Sequence, residues 1–187
     1  ASPTPSAIPH SREAEEAVVG AVLINPEAYY DVAQFLAADD FYIHRHKWIW
    51  ETFNSLHEGR IPIDLLTVSN ELDKRGQLSE IGGPAYLTSL VNQVPSSLNA
   101  ESCGRIVEGY SIRRKMINAA NQIASIAYNE KSSVDDVMDE AEKAVFNVSE
   151  RRLKHDLQPI SDVLSDYYDR IDDLAKRADD IVGVPTG

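Results

Sequence analysis

Apolar residues recur at three- and four-residue spacing along most of this chain, and no stretch alternates with the period of two that a strand requires. Between Ser11, a candidate N-cap, and the stop at Asn25-Pro26, residues Ala14, Ala17, Val18, Ala21 and Val22 share one helical face. Asn25 and Pro26 suit the start of a second helix with Tyr29, Val32, Ala33 and Leu36 facing inward. Trp48, Ile49, Thr52, Phe53 and Leu56 mark a third, which Gly59 is expected to end in a left-handed conformation. Asp64 caps a fourth, with Leu65, Val68 and Leu72 on one face before Gly76. Gly82-Gly83-Pro84 opens another through Tyr86, Leu87, Leu90 and Val91, stopped by Pro95.

The second half has longer periods. From about 99 to 128 there is no proline, and Ile112, Met116, Ala119, Ile123 and Ile126 keep helical spacing. After a polar turn at 129–132, Val134, Val137, Ala141, Val145 and Val148 form a second stripe as far as Glu150-Arg151-Arg152. Two long helices joined by a short turn predict an antiparallel hairpin. Its apolar faces exceed what it can bury alone, so the pattern favours pairing with a second copy over folding back on the first half. Pro159 then marks a link, and Leu164, Tyr168, Ile171, Leu174 and Ala178 line one face of an isolated amphipathic helix whose other face is charged. Such a helix fits a groove on another surface.

The expected architecture is therefore all-α. A tail at 1–10 precedes a globular helical head at 11–98, a hairpin at 99–152 and a linker at 153–181 that carries the amphipathic helix. The final six residues, VGVPTG, read as a turn leading into another domain.

Charge narrows the function. Thirty acidic against 18 basic side chains give −12, which opposes unaided binding to a phosphate backbone. One cysteine permits no intrachain disulfide, and neither a signal peptide nor a membrane span is visible, so a cytoplasmic protein without membrane contact is expected. No catalytic set assembles. His44-x-His46 lacks further ligands, Cys103 lacks a paired histidine, and Gly82-Gly83-Pro84 lacks the Lys-Ser/Thr of a P-loop. Asp135-Asp136 and Asp172-Asp173 lack the ligand spacing of a calcium loop. No enzyme activity, cofactor or metal is expected in these residues. The clusters Arg113-Arg114-Lys115 and Arg151-Arg152 read as salt-bridged surface.

Taken in order, PHSREAEEAVVGAVL, DDFY with a following His and WIWETFNSL, PIDLLTV, IGGPAYLTSLVNQVPSSLNA, RIV and GVPTG resemble the DnaB-type replicative DNA helicases of bacteria and phages across nearly all of 9–187. The resemblance implies the N-terminal collar and linker of an ATP- and Mg²⁺-dependent hexamer that moves 5′ to 3′ on single-stranded DNA. The motor domain would begin at GVPTG and alone would hold ATP and DNA. It implies a trimer of dimers built through the hairpin, recruitment of DnaG-type primase, and a linker helix docked through Leu164, Tyr168, Ile171 and Leu174 on a neighbouring motor domain. A helicase loader is a further candidate partner. Carried over by position, Ile117, Ile123 and Val137 are the primase or dimer contacts, beside the stripe residues Ile112, Met116, Val134 and Val145. For Ile123 and Val137, hairpin packing stands as an equal alternative. A stand-alone helical adaptor, such as a loader or an inhibitor that mimics the collar, is the rival reading. Residues 101–110 depart from the family pattern: Gly104 and Gly109 each weaken a helix by roughly 1 kcal/mol relative to alanine, so a flexible joint between head and hairpin is expected there.

Overall fold

The computed structural model describes residues 8–94, 99–129 and 131–155, with side chains as far as 148. Eight α-helices make up the described residues: α1 (Arg12–Ile24), α2 (Ala28–Ala33), α3 (His44–Glu58), α4 (Leu65–Lys74), α5 (Leu78–Ile81), α6 (Gly83–Gln93), α7 (Ala100–Ala127) and α8 (Val134–His155), with a short 3-10 turn at Ala38–Asp40. No strand occurs among them, and the fold is all-α as expected.

Helix α1 is the axis of the head. Ser11 Oγ caps it by accepting from Ala14 N, and Glu13 and Glu15 in its first turn suit the positive end of the helix dipole. Its stripe is wider than the five positions that periodicity marks: Val19, Gly20 and Leu23 are buried along with Val18, Ala21 and Val22. Helices α2, α3, α6 and α7 all pack on it, which requires apolar residues on nearly every side. Trp50, Phe53 and Ile49 of α3 are fully buried in the same core, each stabilising by roughly 1.5–3 kcal/mol. At Gly20 a methyl group would stand 2.6 Å from the Leu90 carbonyl oxygen and 2.5 Å from Val94 Cγ2, so α6 crosses α1 at backbone distance.

Two local expectations change. Gly59 keeps right-handed torsions (φ −74°), and the left-handed residue is its successor Arg60 (φ 54°). A methyl group at Gly59 would stand 3.3 Å from the Ser55 carbonyl oxygen, a little tighter than ordinary contact. The second helix is also shorter than its stripe: it ends at Ala33, leaving the buried Leu36 in the segment beyond it. It also starts later than Asn25-Pro26 suggest: Glu27 is its N-cap, and Asn25 Oδ1, accepting from Glu27 N at 3.2 Å, closes a turn ahead of the helix.

Helix α7 runs unbroken for 28 residues. Its first four turns belong to the head, where Ala100, Gly104, Val107 and Ser111 are buried against α1, α2 and the 3-10 turn. Gly104 thus has a packing reason in place of a hinge. A methyl group there would stand 3.0 Å from Phe35 Cζ and 3.1 Å from Val32 Cγ1. The remaining turns of α7 leave the head and are followed, six residues on, by α8. Ala119 and Ala144 are buried although both lie outside the head core, and Ile123, Ile126, Val137, Ala141 and Val148 are half-buried around them. On each helix these residues share one face at helical spacing, which defines a narrow seam.

Gly20→Ala is expected to destabilise the domain by about 1–3 kcal/mol through overpacking against a backbone that cannot retreat. Urea denaturation followed by circular dichroism reads the change, and a variant as stable as the parent sequence would refute the close crossing of α1 and α6.

Candidate assembly and docking surface

Two buried polar clusters fix how the hairpin is carried. In the first, the Glu15 carboxylate accepts Tyr42 N at 2.8 Å, Ile43 N at 3.1 Å and His46 Nδ1–H at 2.9 Å. With Nδ1 committed, His46 Nε2 meets the Tyr86 hydroxyl at 2.6 Å. Glu15 and His46 are 1% and 0% exposed, so this chain of bonds replaces water for both. It joins α1, the start of α3 and α6. Burial, opposed by the nearby Arg45 guanidinium, pushes the Tyr86 hydroxyl up to about 12, so it stays protonated. His46 is therefore a structural residue, while His44 is exposed with its ring against Trp48.

The second cluster fastens α7. Asp40, 2% exposed, accepts Ser111 Oγ–H at 2.6 Å, Lys115 Nζ–H at 2.8 Å and Ala37 N–H at 2.9 Å. Arg114 donates to the Asp40 carbonyl oxygen and, at 2.9 Å, to the Pro9 carbonyl oxygen. Burial raises the Asp40 carboxyl, but the bonds from Lys115, Ser111 and Ala37 outweigh it and hold the group below its usual range. The basic run 113–115 is thus partly interior: Arg114 and Lys115 lock α7 to the head, and only Arg113 points away.

Beyond this lock the hairpin displays exposed apolar side chains among the described residues. Met116 is 59% exposed, Ile117 46%, Val134 77% and Val145 54%, joined by Tyr128, Met138 and Phe146. Ile112 is half-buried at the edge of the head, and Ile123 and Val137 are half-buried along the seam. Of the residues singled out in the sequence, Ile117 is exposed, whereas Ile123 and Val137 are half-buried. Tyr128, Met138 and Phe146 were not anticipated. Phe146 lies off the stripe and Tyr128 lies past the end of α7, which conceals them from periodicity, whereas Met138 lies on the stripe beside Val134 and Val145 and was legible there. Leu164, Tyr168, Ile171 and Leu174 lie outside the described residues. Among the described residues no three His, Cys, Asp or Glu side chains gather as a metal site, and no helix is long and apolar enough to cross a membrane.

A globular helical head carrying a long hairpin with an uncovered apolar face has the build of an assembly module. The chain belongs to the DnaB-like helicase N terminal domain family, whose model matches residues 7–109. It is 40% identical over 179 residues to the replicative DNA helicase DnaC of Bacillus subtilis and 38% identical to the replicative DNA helicase DnaB of Geobacillus stearothermophilus. Each alignment covers 96% of this chain, and the chain spans 39% of the length of those relatives. In structure it is similar to the N-terminal domain of DnaB helicase from Mycobacterium tuberculosis, with a TM-score of 0.71 and 32% identity over 74% of this chain and 98% of that one. It is also similar to a DnaB-like replicative helicase described with its interactions with primase, with a TM-score of 0.69 and 26% identity over 95% of this chain and 39% of that one.

The Asp40 lock gives the domain an acid limit. Because the folded carboxyl lies below its unfolded value, its contribution is complete above the unfolded value near pH 4 and is lost as pH falls through the folded one. Asp40→Asn is expected to lower stability at neutral pH by roughly 2 kcal/mol and to flatten the fall in stability below about pH 4. Urea midpoints measured between neutral and acid pH check both. Parallel curves for the two proteins would remove Asp40 from the account.

Proposed function

We propose that this chain is the assembly and partner-docking module of a hexameric replicative DNA helicase. The observation that carries the reading is the exposed apolar face of the hairpin, on a helix that Ser111 and Lys115 tie to Asp40 of the head. Two hairpins pair through that face to form a dimer, and three dimers close into a collar. Ile117 is the exposed contact on α7. Ile123 and Val137 set the hairpin's shape beneath it, so substitutions there act on packing and docking together. Met116, Val134 and Val145 widen the surface on either side.

The collar recruits a DnaG-type primase, a reading supported by the similarity to the helicase described with primase. The unwinding itself, 5′ to 3′ and driven by ATP with Mg²⁺, belongs to a motor domain that engages single-stranded DNA, with a helicase loader as a further partner. The amphipathic pattern of Leu164, Tyr168, Ile171 and Leu174 fits a helix that links each module to the neighbouring motor. The module itself provides position and stoichiometry. Replicative helicases act at the fork, and a cytoplasmic assembly is in keeping with that role.

Light scattering across a concentration series is expected to show mass above the 20.8 kDa of one chain, and a further rise on adding the C-terminal domain of the cognate primase. Ile117→Asp is expected to lower both while leaving the circular dichroism spectrum unchanged. A 20.8 kDa species at every concentration, indifferent to primase, would overturn the reading.

A further inference from the structure

The chain contains two methionines, Met116 and Met138, and both stand on the hairpin helices. Methionine commonly fills irregular gaps in a core, yet the core of the head is filled by Trp50, Phe53 and branched aliphatic side chains. Met116 is 59% exposed on α7 beside Ile117, and Met138 is 56% exposed on α8, one turn from Val134 and two from Val145. Each thioether therefore lies within an apolar stretch that water reaches.

Sulfur on such a face has a chemistry that its aliphatic neighbours lack. A thioether carries no proton to lose, so a peroxide attacks it wherever it is accessible. The sulfur lone pair takes one peroxide oxygen as the O–O bond breaks. Sulfur gives up two electrons, and the second oxygen leaves as water with both protons. The product, methionine sulfoxide, is polar and chiral where the thioether was apolar. The third sulfur of the chain is shielded: Cys103 is half-buried against the head core, and burial pushes its thiol up, so little of the reactive thiolate forms.

Location decides what the added oxygen does. On a face that stays in water, a sulfoxide is hydrated and changes little. On a face that another protein covers, its oxygen loses water without an assured donor, which is unfavourable.

We propose that Met116 and Met138 are reversible oxidation sites through which peroxide weakens the association of the hairpin. The oxidant reaches both in the separated chain, whereas a covering partner excludes it, so oxidation holds chains in the unassembled state. Reduction by a methionine sulfoxide reductase with a dithiol donor reverses the step: the sulfoxide oxygen leaves as water, and the dithiol becomes a disulfide. This rests on the self-association proposed above and adds a chemical control on it.

The test compares the unmodified chain with Met116→Leu/Met138→Leu, a swap that keeps side-chain volume and helix propensity and removes both thioethers. Each protein is measured by sedimentation velocity before and after mild hydrogen peroxide, and the quantity read is the ratio of its two dissociation constants. For the unmodified chain a roughly tenfold weakening is expected, with one added oxygen at each methionine in peptide mass spectrometry and recovery after reductase and dithiol. For the double variant peroxide is expected to leave the ratio at unity. Cys103 is common to both proteins, so its oxidation cancels in the comparison. Sulfoxide formation is also expected to slow as the chain is concentrated, because assembly covers both side chains. Equal weakening in the two proteins, sulfoxides formed without weakening, or a rate indifferent to concentration overturns this inference and leaves the assembly reading standing. A chain that is monomeric before peroxide overturns both.

Discussion

One buried carboxylate determines how the two parts of this molecule are joined. Asp40 sits in a 3-10 turn of the head and takes its bonds from Ser111 and Lys115 of α7, while its carbonyl oxygen takes another from Arg114. A desolvated carboxylate tolerates little displacement of its donors, because each lost bond leaves charge uncompensated in a medium of low dielectric. That requirement fixes the rotation of α7 about its own axis. Everything further along inherits it: which side meets α8, and which side carries Met116 and Ile117 to solvent. The apolar surface of the hairpin is thus aimed by a polar contact at its base.

The Glu15–His46–Tyr86 chain serves the head in the same way. It converts three residues far apart in sequence into one hydrogen-bonded line through α1, α3 and α6. Partial satisfaction of such a network is unfavourable, so it admits one arrangement of these helices where apolar packing alone admits several. The conspicuous sequence features around it follow from this. DDFY supplies Asp40 and the backbone amide of Tyr42, and GGPAY brings Tyr86 to His46. Motifs that read as family marks are, in physical terms, the parts of two buried polar clusters.

Function fits this division of labour. The head is compact, with Trp50, Phe53, Ile49 and Leu72 fully buried, and its described residues gather no metal-holding group. The hairpin is narrow and open. Its seam closes on two small residues, Ala119 and Ala144, so most of its larger apolar side chains remain outside. Exposed apolar surface of that kind marks an interaction site, so the proposed docking role rests on packing rather than on any reactive group.

The helical identity of the segments, the caps at Ser11 and Asp64, and the helix-opening turn at Gly82-Gly83-Pro84 were all legible in the sequence, since they depend on spacing and on residues within a few positions of one another. The excess of apolar surface on the hairpin was legible as well, because it is a matter of composition along a periodic face. What the tertiary structure alone decided were contacts between distant segments. Gly104 reads as a weak point in a helix, yet it is the place where Phe35 and Val32 enter. Arg114 and Lys115 read as surface charges, yet they reach the backbone carbonyl and the carboxylate of Asp40, some 75 positions earlier. Met116 falls on the same periodic stripe as Ile123 but stands exposed, because one partner helix covers a narrower strip than the stripe occupies. Periodicity reports which face of a helix is apolar, but only the number and placement of its neighbours decides how much of that face is buried.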